Sequence, residues 1–91
     1  MATGAPRYRV ILTGGAQKQL AALPRDVQQR IGPAILALGD DPRPHGVRKM
    51  KGASDEYRIR VGEYRVVYTI DDDGDIVLIT AVAHRRDVYR P

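Results

Sequence analysis

The fold is decided by one stretch, EYRIRVGEYRVVYTI, which occupies residues 56–70. On both sides of Gly62-Glu63 this stretch alternates in period two and is rich in β-branched and aromatic residues. The pattern is typical of two half-buried strands, and glycine at the first position of a two-residue loop favours a type II′ turn. We therefore predict a β-hairpin in which Arg60 lies directly opposite Arg65.

This register gives the hairpin two unlike faces. The apolar face, which we expect to join the core, carries Tyr57, Ile59, Val61, Tyr64, Val66 and Tyr68. The other face carries Arg58, Arg60 and Arg65. Guanidinium groups gathered in this way suit an anion, because their planar, bidentate donors match phosphate oxygens. Arginines on the solvated face of an antiparallel sheet are also ordinary, so the pattern alone leaves both interpretations open.

The chain has 91 residues, no cysteine and a net charge of +4. This length suits one domain with one modest core, which we assign to residues 7–90, with residues 1–6 as a flexible N-terminus. Without cysteine there is neither a disulfide framework nor a thiolate metal site. No apolar run suits a membrane span or a signal peptide, so we expect a cytoplasmic protein. The basic balance fits a polyanion or an acidic protein as partner.

Two helices are predicted before the hairpin. Thr13 is a good N-cap for a short helix that ends near Leu23, where apolar residues recur at helical spacing. A second amphipathic helix is predicted over residues 25–38. Because only Pro24 separates the two segments, we interpret them as a helical hairpin.

The remaining segments complete the sheet. Residues 7–12 alternate and predict a first strand, whereas residues 40–51 are rich in proline and charge and are predicted to form a loop. Residues 76–82 form a nearly continuous apolar run, which is typical of a strand covered on both faces. The predicted fold is α+β with the order β-α-α-β-β-β, in which the helical hairpin packs on a mainly antiparallel, four-stranded sheet.

An acidic run at residues 71–75 is expected to form a solvated turn far from any phosphate site. If Asp73-Gly74 is its two-residue loop, Arg65 lies opposite Val82. His84 and Arg85 then emerge beside the arginine face, so that the charged face and the C-terminal segment share one surface.

That surface suits RNA chemistry. The sequence has no zinc-type ligand spacing, no P-loop and no nucleophile elbow, so we expect neither metal nor cofactor. Metal-free cleavage of RNA needs a base for the 2′-hydroxyl, cations around the phosphorane and an acid for the leaving 5′-oxygen. Because arginine is a poor base, His84 and Tyr89 are the candidate proton carriers. Taken alone, His84 is better explained as a partly exposed residue at a strand end.

Two segments resemble the RelE/ParE superfamily of bacterial toxins, and they lean toward its RelE branch. They are YRIRVGEYRVVY at residues 57–68 and VAHRRDVY at residues 82–89. A Leu-x-x-Leu-Pro junction at residues 20–24 and the KMKG loop at residues 49–52 fit the same pattern. The resemblance implies a toxin of a type II toxin-antitoxin system, with an acidic, RelB-like antitoxin in a hetero-oligomeric complex. RelE-like toxins cleave messenger RNA in the ribosomal A site, without metal, by attack of the 2′-hydroxyl.

The resemblance also implies roles for individual residues. Arg65 matches the phosphate-stabilising arginine of the family, Arg85 its second catalytic arginine and Tyr89 its C-terminal tyrosine, which stacks on or assists at the substrate. Neighbouring basic residues are expected to contact RNA: Arg48, Lys49, Lys51 and Arg86.

At two positions the chain differs from the residues that are typical of the family. Arg58 and Arg60 stand where the best-known RelE toxins carry lysine, so the positive charge is kept but the general base is open, with His84 as a candidate. Two other functions fit the same sequence. ParE-like members share the fold but block DNA gyrase without cleaving RNA, and a non-catalytic module that binds an acidic protein would also be basic.

Overall fold

The computed structural model describes residues 7–49 and 56–88 of the chain. Its elements, in chain order, are β1 (Arg9–Leu12), α1 (Gly14–Ala21), α2 (Arg25–Ala37), β2 (Arg48–Lys49), β3 (Glu56–Val61), β4 (Tyr64–Asp71), β5 (Ile76–His84) and α3 (Arg85–Val88). The predicted α+β class and the order of the main elements are confirmed. The predicted flexible N-terminus, residues 1–6, lies outside the described residues.

The strands in the described part of the chain form one sheet with the order β1-β5-β4-β3-β2. β1 runs parallel to β5, and the other neighbours are antiparallel. The sheet therefore has one strand more than the four predicted. The additional strand is β2, which lies within the predicted loop at residues 40–51. The described residues of β2, Arg48 and Lys49, are both charged, so no apolar alternation predicts a strand there.

The register of the β3–β4 hairpin is confirmed. Arg60 lies opposite Arg65, Val61 opposite Tyr64, and the pairing continues without irregularity along the hairpin. Gly62 has a φ of 60°, which is the sign that a type II′ turn requires at its first central position. The alternation in sequence is therefore converted directly into an apolar face and a charged face.

The β4–β5 hairpin contains a β-bulge. Residues 68–71 pair with residues 76–79 in the register that a tight turn predicts. Beyond this point Val67 lies opposite Ala81, so Thr80 is an extra residue in β5. A bulge of this kind moves every later residue of its strand by one place along the partner.

The prediction that Arg65 lies opposite Val82 is consequently wrong. Arg65 lies opposite Ala83, and Val82 lies on the opposite face of the sheet. The backbone N–H of Val82 donates to Oε1 of Gln19 in α1, with a distance of 2.8 Å. This bond satisfies a donor beyond the end of β1, which pairs with β5 only as far as Ile79.

The core lies between the helices and one face of the sheet. Its buried residues are Ala16, Ile31, Ile35, Leu38, Val66, Tyr68, Val77, Ile79 and Val82. Burial of each large apolar side chain stabilises the fold by about 1.5–3 kcal/mol. At the start of α1, Oγ1 of Thr13 accepts the N–H of Ala16 at 3.1 Å, which confirms the predicted N-cap.

The other face of β5 is less covered than the sequence predicts. Ile76 and Leu78 on that face are only partly buried, whereas Val77 and Ile79 on the helix side are fully buried. Among the described residues, the two longer helices contribute their buried side chains to the helix side alone. No described helix has the length and apolar character to cross a membrane.

Candidate nucleic-acid interface

Four arginines from three neighbouring strands meet on the face of the sheet that points away from the helices. Arg48 in β2 lies opposite Arg58 in β3, and Arg60 in β3 lies opposite Arg65 in β4. Because directly opposed residues share a face, as do residues two apart in a strand, all four lie on one side. We call Arg48, Arg58, Arg60 and Arg65 the arginine cluster.

The arginine cluster lines a shallow concavity. Together with Gly46 and Ile59, its four members surround about 200 Å³. Pockets that enclose drug-sized molecules are larger, roughly 300–1,000 Å³. The concavity therefore suits one charged group of a longer polymer, such as a phosphate with its sugar.

Like charges stand directly opposite each other at two places in the arginine cluster. Such pairs destabilise a sheet, and an anion placed between them removes the repulsion. Arg58 and Arg65 are half-buried, whereas Arg48 and Arg60 are exposed. Nη1 of Arg65 is almost completely shielded from solvent. Arg65 is thus held more firmly by its surroundings than the exposed members, which favours a fixed donor for a phosphate oxygen.

The predicted RNA contacts in the segment before β3 separate on the two faces of the sheet. Arg48 joins the arginine cluster. Lys49 lies opposite Tyr57, and its Nζ is 6.0 Å from the centroid of the Tyr57 ring, on the helix side. Lys51 lies outside the described residues. Successive residues of a strand point to opposite faces of the sheet, so Arg48 and Lys49 separate because this segment forms the strand β2.

Arg85 lies at the turn of the central hairpin. Its backbone N–H donates to the carbonyl oxygen of Glu63 at 2.7 Å, and its Nε lies 2.9 Å from Oε1 of the same residue. The side chains are 55% and 61% exposed, so this ion pair is weak and screened by salt. The guanidinium of Arg85 can therefore release the carboxylate of Glu63 and bind a phosphate in its place. The sequence alone did not reveal the role of Glu63 as its partner.

His84 lies on the other face of the sheet from Arg65. It is opposite Tyr64, and the two rings meet edge to face with centroids 5.4 Å apart. Its Nδ1 accepts the backbone N–H of Arg86 at 3.4 Å, so Nε2 is the nitrogen left for other contacts. The prediction that His84 emerges beside the arginine face is wrong, because the bulge at Thr80 reverses its side. A role for His84 in proton transfer stays a prediction.

The remaining predicted site residues follow β5. Arg86 in α3 is exposed. Tyr89 lies outside the described residues, so its predicted stacking on a base is not described by the structure.

A second polar group, which the sequence did not predict, ties together three distant segments. The hydroxyl of Tyr8 donates to Oδ1 of Asp72 at 2.6 Å. Arg43 approaches the same carboxylate with both terminal nitrogens, at 3.0 and 3.4 Å. Hydrogen bonds from Arg43 and then from Tyr8 hold the pKa of Asp72 below its usual value, and the bond to Asp72 raises the pKa of Tyr8. The acidic turn is therefore partly an anchor, and not merely solvated.

This group continues into a stack of tyrosines. The guanidinium carbon of Arg43 lies 5.3 Å from the centroid of Tyr57, whose hydroxyl accepts from Nε of Arg43 at 3.4 Å. Tyr57 stacks on Tyr68 with centroids 5.9 Å apart. The hydroxyl of Tyr68, which is buried, donates to the carbonyl oxygen of Pro42 at 2.7 Å. Burial raises the pKa of Tyr68. The loop after α2 is thus attached to the sheet at two successive residues.

Comparison with known proteins identifies the family. A sequence model described as "ParE toxin of type II toxin-antitoxin system, parDE" matches residues 10–89. The chain belongs to this toxin family. The resemblance to the RelE/ParE superfamily is thereby confirmed, and the relatives support its RelE branch.

Among relatives of the toxin, RelG of Mycobacterium tuberculosis is 35% identical over 88 residues, covering 91% of this chain and 97% of RelG. The toxin also resembles solved structures. One is the archaeal RelE-RelB complex from Pyrococcus horikoshii, with 30% identity, a TM-score of 0.77, and coverage of 87% of this chain and 96% of that chain. Another is the RelBE2 complex of M. tuberculosis, with 28% identity, a TM-score of 0.78, and coverage of 89% and 100%. The protein is a RelE-family toxin of a type II toxin-antitoxin system.

Proposed function

We propose that this toxin is a metal-independent endoribonuclease that cleaves messenger RNA in the ribosomal A site and so inhibits translation. In the proposed reaction the 2′-oxygen of a ribose attacks the adjacent phosphorus while the bond from phosphorus to the 5′-oxygen breaks. The 2′-hydroxyl proton passes to a base, and the 5′-oxygen leaves with a proton from an acid. The products are a 2′,3′-cyclic phosphate and a 5′-hydroxyl end.

The observation that carries this proposal is the arginine cluster. Three of its members, Arg58, Arg60 and Arg65, stand on the regular β3–β4 hairpin, whose hydrogen-bonded pairing fixes their backbone positions. The phosphorane concentrates negative charge on its equatorial oxygens, and fixed cationic donors stabilise that charge more than the charge of the ground state. Arg65 is the proposed main donor because burial of its Nη1 holds the guanidinium in place while the side chain as a whole is only half-buried. Arg58 and Arg60 add charge, and Arg85 contacts the scissile phosphate from the hairpin turn.

Proton transfer requires groups other than arginine, because the guanidinium stays protonated at physiological pH. Tyr89 and His84 remain the candidates for this role. Tyr89 follows α3 in the sequence. His84 would have to reach around the end of the sheet, since it pairs with Tyr64.

We further propose an acidic, RelB-like antitoxin as the partner of the toxin in a hetero-oligomeric complex. The similar proteins from P. horikoshii and M. tuberculosis were solved as toxin-antitoxin complexes. The net charge of +4 and the arginine cluster complement an acidic chain. Because the proposed target is the translating ribosome, we place the activity in the cytoplasm.

The test is primer extension on a defined messenger RNA in a bacterial translation extract. We expect cuts in phase with codons for the wild-type toxin and a loss of roughly 10²–10³-fold in rate for Arg65→Ala, as for removal of one transition-state donor elsewhere. Arg25→Ala is the matched control, since Arg25 is exposed at the start of α2 on the helix side. An intact message in an extract whose translation is still blocked would contradict the proposal.

A second candidate function is inhibition of DNA gyrase, which the match to the ParE toxin model favours. Supercoiling by purified gyrase in the presence of the toxin separates the two functions. Inhibition of supercoiling together with intact messenger RNA would support gyrase as the target. A non-catalytic module would leave both assays unaffected while still binding its acidic partner.

A further inference from the structure

The fourth member of the arginine cluster stands on an edge strand of the sheet. The described part of β2 is Arg48–Lys49, and it lies at the end of the strand order, next to β3 alone. An edge strand has a ladder partner on one side only, so fewer backbone hydrogen bonds hold it than hold a central strand. Contacts made by the chain that leads into β2 therefore contribute to the position of Arg48.

The loop that leads into β2 is anchored five and six residues before Arg48. The carbonyl oxygen of Pro42 accepts the buried hydroxyl of Tyr68, and Arg43 binds the carboxylate of Asp72. Between Arg43 and β2 the loop contains one further turn, in which the N–H of Val47 donates to the carbonyl oxygen of Pro44 at 3.0 Å. Only this turn therefore separates the anchored residues, Pro42 and Arg43, from β2.

Both ends of this segment meet at the same aromatic ring. Arg43 lies 5.3 Å from the centroid of Tyr57, and Nζ of Lys49 lies 6.0 Å from it. Tyr57 also pairs with Lys49 across the β2–β3 ladder. Movement of Arg43 would therefore release the loop. It would also change the surroundings of the Tyr57 ring, which Lys49 approaches.

We infer that Arg43, held by Asp72 and Tyr57, is a positioning residue for the arginine cluster. It fixes the loop before β2 and thereby keeps Arg48 opposite Arg58. Arg43 itself does not line the concavity that the arginine cluster surrounds. The inference deepens the proposed function, and rests on it for the nature of the ligand.

The first experiment does not involve RNA. Asp72→Asn removes the charge that binds Arg43, and Asp73→Asn removes an equal charge from the same exposed turn. Hydrogen exchange in the free toxin is followed by mass spectrometry for a peptide covering residues 44–49. We expect exchange at least tenfold faster in Asp72→Asn than in Asp73→Asn, with unchanged exchange in β4. Equal exchange of residues 44–49 in the two variants would overturn the inference.

The second experiment measures binding of a short single-stranded RNA as a function of salt. Both variants make the protein more positive, so electrostatics alone predicts tighter binding for each. We expect Asp73→Asn to bind slightly more tightly, but Asp72→Asn to bind about threefold to tenfold more weakly, with a logarithmic salt slope reduced by about 0.7, the value for one phosphate contact. Arg48→Ala should show the same reduced slope, and the double variant no further reduction.

The outcomes separate the inference from the proposed function. If the wild-type toxin binds no RNA, the proposed function fails, while the exchange experiment still decides whether Arg43 positions β2. If the RNA slope falls additively in the double variant, Asp72 acts independently of Arg48 and the inference is overturned. Arg43→Gln, which keeps much of the side chain but cannot pair with a carboxylate charge, should reproduce the exchange result of Asp72→Asn.

Discussion

His84 and Tyr64 face each other across the last pair of the β4–β5 ladder, with ring centroids 5.4 Å apart. This contact directs the imidazole away from the face that carries Arg65. We therefore expect His84→Ala to lower the rate of messenger RNA cleavage less than tenfold, whereas Arg65→Ala lowers it by roughly 10²–10³-fold. Primer extension with both variants measures the difference. Equal losses would contradict this expectation.

Removal of the carboxylate of Glu63 is expected to strengthen substrate binding. Glu63 competes with a phosphate for Arg85, and the pair is exposed and weak, so the fold should tolerate Glu63→Gln. We expect about twofold to fivefold tighter binding of RNA at low salt, and a smaller effect at high salt because screening already weakens the pair. Weaker binding would mean that Glu63 holds Arg85 in its working position.

Tyr68→Phe should destabilise the toxin without opening a cavity. The substitution leaves the carbonyl oxygen of Pro42 without the hydroxyl that it accepts at 2.7 Å in a buried position. Such a loss costs about 1–3 kcal/mol in the free energy of unfolding. Urea denaturation measures it through a lower midpoint at constant slope. Tyr57→Phe is the control, since its hydroxyl accepts a longer, exposed bond, and a comparable loss there would contradict the argument.

Acid should weaken the anchor at Asp72. Because Arg43 and Tyr8 lower the pKa of Asp72, its ionised form stabilises the folded state. The stabilisation is present above the ordinary pKa of 3.8 and is lost as the pH falls through the lowered value. Thermal unfolding should therefore show a steeper fall in Tm below about pH 4 for the wild-type toxin than for Asp72→Asn. Parallel pH curves would contradict this assignment.

Local patterns in the sequence predicted the part of the fold that depends on neighbouring residues. The β3–β4 hairpin follows from alternation around Gly62-Glu63, and the N-cap of α1 from Thr13. The bulge was not predictable, since Thr80 lies within an apolar run in which one extra residue leaves the composition unchanged. The bulge is accompanied by a tertiary contact that local sequence does not encode, the hydrogen bond from Val82 to Gln19.

The candidate site was predicted in the same way. The three arginines of the hairpin followed from its register. The inclusion of Arg48 in the cluster, and the position of Lys49 on the other face, depend on the edge strand β2, which the sequence did not predict. The anchor at Arg43 and Asp72 joins residues that are distant in sequence and carry no shared motif. The roles of Tyr89, Lys51 and Arg86 stay predictions.

The parallel pairing of β1 with β5 affects the order in which the strands of the toxin come together during folding. It joins Val10 to Val77 and Leu12 to Ile79, near opposite ends of the chain, whereas β3, β4 and β5 pair with sequence neighbours. Closing so long a loop is slow, so the three-stranded meander should fold first and β1 should dock last. A nascent chain cannot bury its core until β5 has left the ribosome exit tunnel. A chain in which β5 is not yet available for pairing therefore lacks both the parallel strand pair and three buried core residues, Val77, Ile79 and Val82.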